Sequence, residues 1–107
     1  MEMNGVTFKE VRPGVYEVPV HKFDACGTLY RVATPIEARV GKSTSSPGSH
    51  TADYWPSGYV RSLVRGAAFP SPKDAINGLL RNMAQKYQDD PLVKGILKGI
   101  IEPVISD

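Results

Sequence analysis

The sequence has a single cysteine, Cys26, so no disulfide can form within the chain. That usage fits a reducing compartment, and a cytoplasmic protein is expected. Long hydrophobic runs are also missing. The most apolar segment, Leu92 to Val104, is interrupted by Lys94, Lys98 and Glu102 and is too short to span a bilayer. Met1-Glu2-Met3-Asn4-Gly5 has neither the basic nor the apolar stretch of a signal peptide, so no membrane association is expected. Charge of one sign is scarce: 13 Lys and Arg against 11 Asp and Glu leave +2, too little to argue for nucleic acid by itself. His21, Cys26 and His50 are dispersed, without the short ligand spacings of structural zinc sites. Neither a metal nor another cofactor is expected.

What remains is an ordinary globular composition: 107 residues, 41% hydrophobic and 22% charged, enough for one domain with a modest core. Two helix starts are written in the last third. Ser71 is positioned to cap, Pro72 suits the first helical turn, and Asp74 lies where the helix dipole favours a carboxylate. Ala75, Ile76, Leu79, Leu80, Met83, Ala84 and Tyr87 then recur at helical spacing and define one buried face. Asp90-Pro91 opens a second helix, with Leu92, Val93, Ile96, Leu97, Ile100, Ile101 and Val104 as its stripe. That stripe is broader than a surface helix needs, and Gly95 and Gly99 lie beside it. A homo-oligomer interface is therefore expected at Leu92, Gly95, Ile96, Gly99 and Ile100.

Residues 6 to 69 read as β-rich. Val6 to Lys9 alternates, Arg12-Pro13-Gly14 is a turn, and Tyr16, Val18 and Val20 share a strand face, which together make a hairpin. Pro19 favours an edge position or a bulge. Asp24-Ala25-Cys26-Gly27 is a second turn before a segment from Thr28 to Ala33, and Thr34-Pro35 breaks that segment. Ile36, Ala38 and Val40 alternate with Glu37 and Arg39 in a further strand, and Tyr59 to Val64 alternates again. Between them, residues 41 to 58 show no period and read as a long loop, a length that in compact domains is usually functional or mobile. The expected architecture is α+β: an antiparallel, mostly meandering sheet of about five short strands, with two C-terminal helices over residues 71 to 104 packed on one face.

Catalytic patterns are weak. Gly41-Lys42-Ser43-Thr44 ends like a phosphate-binding loop, but Ile36 stands where the pattern needs glycine, and Pro47-Gly48 follow where it needs a helix. His50 and Asp53 among serines supply the residue types of a hydrolase triad, and Cys26 with His21 those of a nucleophile and base; neither pair has a defining spacing. The chain is read as non-enzymatic. Its clearest enrichment is basic and aromatic: Arg31, Arg39, Lys42, Arg61 and Arg65 lie in the same interval as Tyr30, His50, Tyr54, Trp55 and Tyr59. Arginine forks grip phosphates and rings stack on bases, so a nucleotide or nucleic acid is the expected ligand class. A solvated sheet face is the alternative for the arginines, and a protein-interaction module or inhibitor of a host factor, of phage or mobile-element type, the alternative for the function. The join Phe69-Pro-Ser71-Pro72-Lys-Asp74-Ala-Ile76 is similar to strand-to-helix joins in the arm-binding domains of phage integrases and in HicB-like antitoxins. The likeness rests on capping chemistry and implies no activity or site residue here.

Overall fold

The computed structural model describes residues 2–3, 6–25, 27–42, 48–54 and 69–104. Cys26, Trp55, Tyr59, Arg61 and Arg65, and the strand expected from Tyr59 to Val64, lie outside the described residues. The architecture is α+β. Its strands are β1 (Glu2–Met3), β2 (Val6–Thr7), β3 (Lys9–Arg12), β4 (Val15–Val18), β5 (His21–Ala25), β6 (Thr28–Val32), β7 (Ile36–Lys42), β8 (His50–Tyr54) and β9 (Ile101–Pro103), with helices α1 (Pro72–Asp89) and α2 (Pro91–Leu97) before the last strand. A four-stranded sheet runs in the order β3-β4-β7-β8, a three-stranded sheet in the order β5-β6-β9, and β1-β2 form a separate ribbon. Among the described residues seven strands thus make the two main sheets where about five were expected, and neither sheet is a simple meander.

The two sheets are joined by one long hairpin. Val18 pairs with Ile36 at the end of β4-β7, and His21 pairs with Val32 at the start of β5-β6. Pro19 and Val20 separate the pairings on one leg, and Ala33, Thr34 and Pro35 on the other, so the ladder breaks with one extra residue on the second leg. Pro19 has no N–H to give the ladder. Its carbonyl accepts from Nδ1–H of His21 at 2.7 Å, which satisfies that acceptor where the ladder breaks. Since a carbonyl only accepts, this contact fixes the proton of neutral His21 on Nδ1. The hairpin's tip turns at Gly27, φ 75°, and the β3-β4 turn at Gly14, φ 76°, a backbone region that glycine enters without steric cost.

Alternation fixes the inner face. Val18, Phe23, Ala25, Tyr30, Val32, Ile36, Ala38, Val40 and Ala52 are buried under α1, which contributes Ala75, Ile76, Leu79, Leu80, Met83 and Ala84. Each large aliphatic side chain covered in this way stabilises the fold by about 1.5–3 kcal/mol. The backbone N–H of Asp74 donates to Ser71 Oγ at 3.2 Å, and the Ser71 hydroxyl donates to the Asp74 carboxylate at 3.0 Å. The far half of α1 is tied to the three-stranded sheet by Tyr30. Its ring lies 5.9 Å from Phe23 and 6.1 Å from Tyr87, and its hydroxyl accepts from Gln88 Nε2 at 2.6 Å.

Three expectations need correction. The second helix stops at Leu97 rather than continuing to Val104. Gly99 turns the chain at φ 86°, and Ile101–Pro103 becomes β9 beside β6, because Pro103 cannot sit inside a helix and Ile101 is fully buried in the sheet. Gly99 and Ile100 are therefore not on the helix, and half-buried Ile100 packs on the chain's own core. The expected loop over 41–58 is interrupted by β8, whose residues Thr51 and Ala52 pair with Gly41 and Val40. The segment His21–Ala25 is a full strand, which includes Asp24 and Ala25 that were expected in the turn.

The glycines of the helices separate two constraints. At Gly78 in α1, a Cβ would collide with the ring of Phe69, which packs on the core. At Gly95 in α2, a Cβ meets nothing within 4 Å. Gly78→Ala is expected to destabilise the fold by about 1–3 kcal/mol despite alanine's better helix propensity. Gly95→Ala is expected to stabilise it by about 0.5–1 kcal/mol. Denaturant midpoints at low protein concentration read both, and the opposite ranking would contradict this packing.

Candidate functional site

The outer faces of the two sheets differ in how their charges are matched. On the four-stranded sheet, Lys9 lies opposite Glu17 and Glu17 opposite Glu37. The guanidinium of Arg12 reaches the Glu37 carboxylate at 3.1 Å. Lys9 and Arg12 each stand against a carboxylate, while Glu17 and Glu37 face one another, so no continuous basic track runs through these residues. A shallow concavity of about 320 Å³ lies at its corner, lined by Arg12, Pro13, Val15 and Arg39. Here Arg12 is already engaged by Glu37.

On the three-stranded sheet the register sets two cations side by side. Lys22 of β5 pairs directly with Arg31 of β6, and Arg31 pairs with Glu102 of β9. Cross-strand partners project to the same face, and the burial pattern puts this row outside, since Phe23 and Tyr30 point inward. Like charges directly opposite repel, which is a cost unless something anionic lies over them. Glu102 supplies part of that: its carboxylate accepts from the Arg31 guanidinium. Among the described residues Lys22 has no ion pair. Asp24, further along β5, lies opposite Leu29 rather than opposite a cation. Lys22, Arg31 and Glu102 line an open groove of about 390 Å³, with Pro103 and Val104 as its apolar wall. Its volume lies within the range of small-molecule pockets. Val104 is fixed there by its N–H donating to the Leu29 carbonyl at 2.8 Å.

The sequence candidates are divided by this geometry. Arg31 lies in the groove. Arg39 lies on the outer face of the other sheet, in β7 opposite Val15 and the backbone of Asp53. Lys42 and His50 are brought opposite one another at the end of β7-β8, on the helix-facing side by alternation, where Lys42 is exposed and His50 half-buried. The His50 backbone exchanges hydrogen bonds with Phe69 at 2.6 and 2.8 Å. Tyr54 pairs through its backbone with Ala38. Tyr30 belongs to the core, at 1% exposure, and is not a stacking platform. Lys22 is the residue that sequence reasoning missed. Its signal was the turn at Gly27, since folding residues 21–32 about that turn places Lys22 against Arg31.

Burial, and after it the neighbouring Glu10 carboxylate, holds the Tyr16 hydroxyl above its usual 10.0, and Tyr16 belongs to the other sheet. Among the described residues no group of at least three His, Cys, Asp or Glu side chains is placed to hold a metal ion. No described helix is long and apolar enough to cross a membrane. On α2, Leu92 and Ile96 are 69% and 41% exposed, while Val93 and Leu97 are buried. The chain matches no protein-family model, no curated protein and no solved structure.

Proposed function

We propose that the protein is a non-enzymatic binding protein that holds the phosphate of a small nucleotide-type ligand in the groove over β5, β6 and β9. The observation that carries this reading is the direct cross-strand pairing of Lys22 with Arg31, two cations side by side with one carboxylate, Glu102, in their cross-strand row. A phosphate dianion relieves that repulsion. The arginine fork offers two parallel donors, the lysine ammonium adds a point charge, and Pro103 and Val104 provide a wall for an apolar part of the ligand. An extended nucleic-acid track is less well supported, because Lys9 and Arg12 on the four-stranded sheet each lie against a carboxylate. Binding of a nucleoside diphosphate, followed by fluorescence at low salt, is expected to weaken about 5- to 20-fold in Lys22→Gln and in Arg31→Gln, the loss of one charge-assisted contact. The salt dependence is expected to be shallow, since few counterions are displaced. Wild-type affinity in both variants would overturn the reading, and a steep salt dependence with long oligonucleotides would favour nucleic acid instead.

A second reading concerns self-association through α2. It is favoured by the exposure of Leu92 and Ile96 and by the open space above Gly95 between them. A helix that presents two aliphatic side chains beside a residue without a side chain offers a second copy close backbone approach. Sedimentation at high micromolar concentration is expected to show a homodimer that Leu92→Lys with Ile96→Lys dissociates. A monomer at those concentrations would contradict this reading and leave the groove proposal untouched.

A further inference from the structure

We infer that Glu102 is a built-in competitor for the anion site: its carboxylate occupies Arg31 when the groove is empty and must be displaced when a ligand phosphate binds. The inference rests on the anion-binding reading and adds its regulation. Three observations support it. Glu102 is itself a wall of the groove, so its carboxylate stands where a ligand oxygen would approach the guanidinium. The pair is exposed, with 49% of the Arg31 side chain and 38% of the Glu102 side chain open to solvent. Exposed pairs of this kind hold weakly and exchange readily with other anions. Finally, the backbone beneath Glu102 is anchored independently of the ion pair. Ile101 is fully buried, and the main-chain bonds of Ala33 N–H to the Ile100 carbonyl and of Val104 N–H to the Leu29 carbonyl, both 2.8 Å, flank the strand. The carboxylate can therefore swing away while β9 stays in place.

The consequence is selectivity by charge. A monoanion arriving at Arg31 exchanges one carboxylate-like contact for another and gains only the contact with Lys22. A phosphate dianion makes the same two contacts with twice the charge, so it displaces the internal carboxylate more effectively. The short strand β9 then acts as a threshold, with the affinity of the groove set by how firmly Glu102 holds Arg31.

Inorganic phosphate is the probe, titrated at low ionic strength and followed by NMR on the wild type and on Glu102→Gln, Asp24→Asn, Arg31→Gln and the Glu102→Gln/Arg31→Gln double variant. Thermal unfolding of each checks that the fold is retained. Glu102→Gln is expected to tighten phosphate binding about two- to five-fold, the scale of one exposed pair. Asp24→Asn removes a charge of the same sign from the same sheet face but frees no guanidinium, and is expected to give a clearly smaller gain. In the Arg31→Gln background the benefit of Glu102→Gln is expected to vanish, as a pairwise coupling requires. Equal gains from Glu102→Gln and Asp24→Asn, or a gain that persists without Arg31, would overturn the competitor role while leaving anion binding intact. No phosphate binding by either the wild type or Glu102→Gln would overturn both.

Discussion

The inner face of one long hairpin, held under the apolar stripe of α1, is the constraint on which everything else depends. The hairpin changes sheets at Pro19, and neither half has enough apolar area to fold alone. Ile76, Leu79, Leu80 and Met83, all fully buried, are what keep the two halves on a common core. Tyr30 makes the join specific. Its ring packs between Phe23 and Tyr87, and its hydroxyl takes the Gln88 amide, so the far end of α1 is tied to the three-stranded sheet. His21 closes the break itself by donating to the carbonyl of Pro19.

Once the inner face is committed to α1, alternation leaves no choice about the outer one. Phe23, Tyr30 and Val32 point inward, so Lys22 and Arg31 must point outward, and the hairpin register sets them opposite each other. The arrival of β9 beside β6 adds Glu102 to the same row. The groove is thus a by-product of core formation that sets two cations directly opposite each other. On the neighbouring sheet the same alternation sets Lys9 opposite Glu17 and brings Arg12 to Glu37, so each of these cations has a carboxylate beside it.

Much of this was legible in the residues. Ser71-Pro72 with Asp74, followed by apolar residues at helical spacing, specified α1 and its buried face, and Gly14 and Gly27 marked both hairpin turns. The C-terminus was misread because Leu92 to Val104 satisfies a helical period, although Gly99 and Pro103 stand inside it and both oppose a helix. Leu97 and Ile101 are buried for different reasons, one on a helix and one on a strand, and periodicity cannot tell them apart. Strand β8 was missed because Ala52 and Asp53 carry little strand preference; its pairing with β7 decides its conformation. For the candidate site, the sequence identified arginine as the chemistry but could not sort Arg31 from Arg39. That distinction depends on which sheet each strand joins, and therefore on the break at Pro19.

The account's central claim is that anionic ligands are held over the β5-β6-β9 row. Amide-resolved NMR of the wild-type protein titrated with a nucleoside diphosphate tests it most directly. The account predicts saturable shifts centred on Lys22, Arg31 and residues 102–104, with β3, β4 and β7 unmoved. Shifts centred on Arg12 and Arg39, or no saturable shift at Lys22 and Arg31, would contradict it.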